Sequence, residues 1–184
     1  RIHQEDFCQA LGINPDDKYQ KDGGPSPGAI IKLIREYSSN ASDDVATFLN
    51  AMIYNYLIAG TDGHGKNYSM LMAGQGQFRF APLYDVISVL PYKHQPKKLK
   101  LAMKVGDEYL LWKINQHEWR KAAKEWRIEE AFLCGKMGKM AAIISDSARD
   151  VCQEITEALG TESEVLDRLV AGISERAHTG FWNG

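Results

Sequence analysis

What most constrains this chain is a run in which an apolar helix, a glycine-rich polar loop and a hairpin follow one another directly. Residues 45–59 are apolar on most sides, through Phe48, Leu49, Met52, Ile53, Tyr56 and Leu57. A helix of that kind belongs at the centre of a domain, with other elements packed around it. Gly60 ends it, as glycine commonly does. The next seven residues, Thr61-Asp62-Gly63-His64-Gly65-Lys66-Asn67, contain two glycines and no apolar run. They form a loop carried on a rigid element, where catalytic groups tend to sit. Strand patterns at 68–72 and 77–83 then flank Ala73-Gly74-Gln75-Gly76, the signature of a hairpin. Its centre lies near Gln75, with Asn67 eight residues before it and Asp85 ten after. Antiparallel neighbours lie about 5 Å apart, so the hairpin returns Asp85 to Asn67.

The remaining pattern is mostly helical. Residues 4–11 read as a short amphipathic helix stopped by Gly12, and residues 15–24 as loop. Ser26-Pro27 caps and starts a helix that runs to about Tyr37, with Ile30, Ile31, Leu33 and Ile34 as its apolar face. Ser42 or Asp43 is the expected cap of the central helix. Residues 98–105 alternate with period two, apolar on one face and mostly lysine on the other; after Gly106-Asp107-Glu108, residues 109–112 return. Asn115 and Glu118 have capping-box spacing ahead of a helix with Trp119, Ala122, Ala123 and Trp126 as its buried stripe. Further helices are expected over 129–140, 141–159 and 162–177, with Gly135 and Gly138 weakening the first. The expected fold is mainly α with small β-hairpins, an α+β class, in one domain over residues 1–184.

Composition narrows the partners. With 22 Lys and Arg against 24 Asp and Glu, the formal charge is −2, and no global basic field recruits nucleic acid. The apolar runs are too short to span a membrane, and no signal peptide is visible. Cys8, Cys134 and Cys152 are far apart and form no CxxC pair, which argues against structural zinc and fits free thiols in a reducing compartment; a cytoplasmic location is expected.

Asp62 and Asn67 have the D-x-x-x-x-N spacing of a protein-kinase catalytic loop. There the carboxylate accepts the substrate hydroxyl proton and the amide oxygen holds magnesium. Asp85, brought back by the hairpin, adds a carboxylate beside Asn67, and this hard oxygen pair suits Mg²⁺. Lys66 is expected between these groups, offsetting phosphoryl charge, while His64 contacts the nucleotide or orients the loop. Taken singly, each has a plainer reading: Asp-Gly is an ordinary turn, Asp85 a helix cap, Lys66 a solvated side chain. Together they point to phosphoryl transfer. Asp22-Gly23-Gly24-Pro25-Ser26-Pro27-Gly28 lacks the Gly-Lys-Ser/Thr ending of a phosphate loop and reads as the lead into a capped helix.

The motifs Thr61-Asp62-Gly63-His64-Gly65-Lys66-Asn67-Tyr68-Ser69 and Ala81-Pro82-Leu83-Tyr84-Asp85-Val86-Ile87-Ser88 resemble the C-terminal region of HipA-type toxin kinases. So do the opening residues 1–12, Asp22-Gly23-Gly24-Pro25 and Lys98-Leu99-Lys100-Leu101-Ala102-Met103. The resemblance implies the C-terminal lobe of a kinase-like fold and a bacterial serine/threonine protein kinase using ATP and Mg²⁺. It implies Asp62 as catalytic base, Asn67 and Asp85 as metal ligands, and His64, Gly65, Lys66, Asn67, Tyr84 and Asp85 as the lining of the ATP site. It also implies a small helix-turn-helix antitoxin (HipB-like) as partner, with DNA reached only through that complex. The best-known member phosphorylates an aminoacyl-tRNA synthetase, a substrate not carried over to this chain. The chain opens on Arg1, just after where the family's hinge would be. The nucleotide-gripping lobe is therefore expected to be absent, and the chain alone to transfer little phosphate.

One basic cluster stands apart: Lys93, His94, Lys97, Lys98, Lys100 and Lys104. Its plain reading is a solvated or edge-protecting strand face. Contact with a substrate, the antitoxin or DNA phosphate is the alternative. Two other functions compete with the kinase. One is a catalytically weak co-repressor acting through its antitoxin; the other is a metal-dependent phosphohydrolase.

Overall fold

The computed structural model describes residues 2–92 and 95–179. Arg1, and Lys93 and His94 of the basic cluster, lie outside the described residues. Among the described residues, eleven α-helices and β-strands can be followed from β1 (His3–Asp6) to α6 (Glu164–Thr179), and they are arranged around one helix, α3 (Ala41–Leu57). Val45, Phe48, Leu49, Met52, Ile53, Tyr56 and Leu57 of α3 are buried, as their all-round apolar pattern requires. The helix starts earlier than its expected cap. Asn40 holds the N-cap position, and Ser42 and Asp43 fall within the first turn.

Helix α2 (Pro27–Tyr37) packs on α3 and is capped as expected, with Ser26 Oγ accepting from Ala29 N. The first element departs from expectation. Residues 3–6 form strand β1, and only Phe7–Ala10 makes a helical turn, α1. β1 pairs antiparallel with β2 (Ser69–Ala73), Asp6 standing opposite Ser69. Those ladder bonds override the local periodicity. The true helix start is marked by Asp6 and Gln9, which form a reciprocal capping box.

β2 pairs with β3 (Gln77–Phe80) in the predicted hairpin, Met70 opposite Phe80 and Ala73 opposite Gln77. β3 ends before the expected residue 83 because Pro82 has no N–H to give to a ladder. A second sheet joins β4 (Lys100–Val105) to β5 (Glu108–Leu110) across Gly106. Leu101, Met103 and Val105 are buried as predicted. Ala102 is buried too, because the turn at Gln20–Asp22 covers part of the other face, where Lys104 N donates to Gln20 Oε1.

α4 (Gln116–Trp126) buries Trp119, Ala122, Ala123 and Trp126. Asn115 caps it, but Glu118 does not reciprocate; its Oε2 accepts from Asp107 N at the β4–β5 turn. The two helices expected over 129–159 are one, α5 (Glu130–Leu159). Gly135 and Gly138 do not break it, since a glycine inside a helix costs only about 1 kcal/mol relative to alanine. α6 returns against α5 and sends Arg176 to the end of α3. Its guanidinium donates to the carbonyl oxygens of Tyr56 (2.6 Å) and Leu57 (2.9 Å) in the last turn of α3, where helical carbonyls run short of intrahelical donors. The C-terminal hairpin thus closes the helix that delivers the polar loop. No described helix is long and apolar enough to cross a membrane.

Candidate active site

The loop begins where α3 unwinds. Ala59 takes a left-handed conformation and Gly60 N donates to Asn55 O at 2.7 Å. The glycines here are required by close approach. A Cβ on Gly60 would lie 2.4 Å from Asn55 Oδ1, and one on Gly63 would lie 2.9 Å from Asn55 Nδ2. Asn55 also donates to the buried Tyr68 hydroxyl at 2.8 Å, so one amide on α3 fills the inside of the loop. Gly65 meets a different wall: a Cβ there would lie 2.5 Å from Pro25 Cγ.

Asn67 is buried, and its amide is engaged at both its oxygen and its nitrogen. Oδ1 accepts from His64 N (3.1 Å), and Nδ2 donates to Asp85 Oδ2 (2.6 Å). The meeting of Asn67 with Asp85 predicted from the hairpin is therefore present. Asp85 is exposed and has φ 54°, a left-handed backbone that is uncommon outside glycine and tends to persist at functional sites. Beside it, the Tyr84 hydroxyl bridges Lys66 O and Ser69 Oγ, which binds the segment after β3 to the loop.

Asp62 is half-buried and its Oδ1 accepts from the Tyr19 hydroxyl at 2.6 Å. His64 is buried, with Nδ1 unpartnered and the ring edge-on to Tyr19 at 5.1 Å. Burial pushes its imidazole below the usual range. The Lys18 ammonium adds to that shift, and together they outweigh the opposing charges of Asp62 and Asp85. The ring is neutral at neutral pH.

Lys66 departs from expectation. Its ammonium does not stand free among Asp62, Asn67 and Asp85 but is held by Asp6 Oδ2 at 2.7 Å. That hydrogen bond raises the lysine above its ordinary range. The pairing of β1 with β2 brings Asp6 opposite Ser69, within reach of a side chain three residues earlier. The expectation that Lys66 stands between those groups lacks Asp6, because residues 4–6 carry helical periodicity and their pairing with β2 is tertiary.

Sequence reasoning also missed Tyr19, Asn55 and Pro25. Asn55 carried a usable signal, as a polar residue within an otherwise apolar helix. Tyr19 carried none, and Pro25 only its place in the Asp22-Gly23-Gly24-Pro25 motif, since their segment is joined to the loop by tertiary contacts.

Comparison with known proteins bears on this arrangement. Residues 1–159 match the family described as HipA-like C-terminal domain. This chain belongs to the HipA family. Y4mE of Sinorhizobium fredii, a protein with a kinase name, is 42% identical over 125 residues, covering 68% of this chain and 29% of its own length. The serine/threonine-protein kinase toxin HipA of Shewanella oneidensis is 34% identical over 121 residues, covering 59% of this chain and 27% of that protein. The chain thus spans less than a third of either relative. Among solved structures, a chain of the S. oneidensis MR-1 complex of HipA, HipB and operator DNA superposes with a TM-score of 0.82. That match covers 97% of this chain and 43% of the other at 22% identity. The α+β fold read from sequence is the HipA fold.

Proposed function

We propose that this chain is the catalytic C-terminal lobe of an ATP-dependent serine/threonine protein kinase of a toxin–antitoxin module. The remainder of the full-length protein supplies the grip on the nucleotide. The observation that carries this reading is the contact of Asn67 with Asp85 at 2.6 Å, beside the loop that presents Asp62.

The donor set supports magnesium. One carboxylate and one amide oxygen are hard ligands, too few to enclose an ion, and Mg²⁺ keeps several waters and takes the rest from phosphates. No described group of three His, Cys, Asp or Glu side chains offers a cage. Asp85 would supply a carboxylate oxygen, and Asn67 would present its amide oxygen where its NH₂ now meets Asp85. Bound Mg²⁺ and ATP would bring the transferable γ-phosphoryl group and the neutralising charge that such transfer needs.

The chain's own residues perform the rest. Asp62 accepts the hydrogen bond of the acceptor hydroxyl, orients it for in-line attack and takes its proton during transfer. Neutral His64 packs the loop without adding charge beside that carboxylate. Lys66, anchored on Asp6, provides a fixed positive charge on the β1 side. The acceptor class is a protein serine or threonine hydroxyl. A HipB-like helix-turn-helix antitoxin is the proposed partner, with DNA reached through it; the presence of HipB and operator DNA in the solved neighbour supports this.

The test uses full-length protein and ATP labelled on its γ-phosphate. Label is expected on a protein hydroxyl, with Asp62→Asn abolishing transfer. Label found only in free phosphate would instead favour a phosphohydrolase, and a fully active Asp62→Asn would remove the base.

A further inference from the structure

We infer that Tyr19 is a positioning residue for the catalytic base: its hydroxyl holds one oxygen of the Asp62 carboxylate so that the other faces the acceptor. The inference rests on the reading of Asp62 as base given above. Tyr19 stands 43 residues before Asp62 in the chain, yet its Oη lies 2.6 Å from Asp62 Oδ1. Among the described residues it is the one side chain that hydrogen-bonds this carboxylate, and Oδ2 is left open.

The position of Tyr19 is set by contacts that do not involve Asp62. Gly65 N donates to Lys18 O (3.3 Å), and Gly24 N donates to Tyr19 O (2.9 Å). Pro25 packs so closely on Gly65 that no side chain fits there, and Gly24 lies so close to the backbone that a Cβ would be 2.4 Å from Asp17 O. On the far side, Lys104 N fastens Gln20 Oε1 (2.9 Å). The Tyr19 ring itself rests edge-on to His64. The segment is thus fixed at both ends and in the middle, and the hydroxyl is delivered to Asp62 by packing.

A short carboxylate on a glycine-flanked loop would otherwise rotate freely. A hydrogen bond to an ionised acceptor is among the stronger ones, and it selects one orientation before substrate arrives. The phenol is suited to this. Its hydrogen bond to Asp62, followed by burial, pushes its pKa up to about 12, so it stays a donor at neutral pH. It keeps its proton and leaves Asp62 as the acceptor for the substrate's.

Steady-state kinetics of the full-length protein test this, with Tyr19→Phe, Gln20→Ala and Asp62→Asn measured side by side. Tyr19→Phe keeps the ring against His64 and removes only the donor; kcat is expected to fall about tenfold, with KM for ATP within about twofold of wild type. Gln20→Ala loosens the same segment without touching the bond to Asp62, and its kcat is expected to stay within about twofold. Melting temperatures of both variants check the fold. The inference is overturned if Tyr19→Phe keeps its kcat, or if Gln20→Ala loses as much as Tyr19→Phe. An active Asp62→Asn is a different failure, because it removes the base on which the inference stands.

Discussion

Two polar clusters in this molecule are built around carboxylates, and they are finished differently. Asp44, near the start of α3, is buried and every side of it is used. It accepts from Ser38 Oγ (2.6 Å), from Phe80 N (2.8 Å) and from two nitrogens of Arg79 (about 3 Å). Asp62 and Asp85 are half-buried and exposed, and each accepts one side-chain hydrogen bond, from Tyr19 and from Asn67. A carboxylate whose acceptor sites are all occupied can only hold structure; one with an open oxygen has capacity for a ligand. The Asp44 cluster ties β3 to α3, and so fixes the hairpin that returns Asp85. The first cluster maintains the geometry in which the second can act.

The largest test of that contrast is Asp62→Asn in the full-length protein. Phosphate transfer is expected to drop by about 10²–10⁴-fold with little change in melting temperature. Asp44→Ala should do the reverse to the fold. It strands the buried Phe80 amide while the half-exposed Arg79 turns to water, and is expected to cost about 1–3 kcal/mol of stability, read by denaturant unfolding. If Asp44→Ala melted like wild type, the division between the clusters would break down.

The pH dependence sharpens the same point. Burial alone would raise the Asp44 carboxyl. The hydrogen bonds from Arg79, Ser38 and the Phe80 amide, with the Arg79 charge, outweigh it and hold the group below the usual carboxylate range. The unfolded chain then binds the proton first as pH falls, so stability rises with pH through that window. The contribution is fully present above the unfolded value of about 3.9 and is lost as pH falls through the lower folded value. Melting curves of wild type and Asp44→Asn should therefore differ at neutral pH and converge in acid.

Gly65→Ala is a smaller perturbation that reaches the second cluster through packing. Its Cβ would meet Pro25 Cγ at 2.5 Å, and overpacking of this kind typically costs about 1–3 kcal/mol. The smallest effect is expected outside both clusters. A Cβ at Gly135 meets nothing within 4 Å, so Gly135→Ala should stabilise α5 by about 0.5–1 kcal/mol with activity unchanged.

Much of the site could be read from the chain because its parts are local. A helix end, a tight turn and the alternation of two short strands suffice to bring Asn67 and Asp85 together. Ser26, Asn115 and the Trp119–Trp126 stripe were equally legible, since caps and helical periodicity act within a few residues. Misreadings arose where distant backbone competed with local pattern. Residues 4–6 carry helical periodicity yet pair with β2, and Lys66 looked free until that pairing supplied Asp6. The second turn of the expected helix did form, and its capping pair, Asp6 and Gln9, was the overlooked sign of where it begins.

By itself the sequence determined the central helix, the hairpin length and the set of oxygen and nitrogen donors, because apolar periodicity and turn chemistry are short-range. Tertiary structure alone decided how those donors are used. Tyr19 on Asp62, Asp6 on Lys66 and Arg176 on the end of α3 join positions 43 to 120 residues apart. Such contacts depend on which surfaces the packed core brings face to face, and no local rule of spacing encodes that.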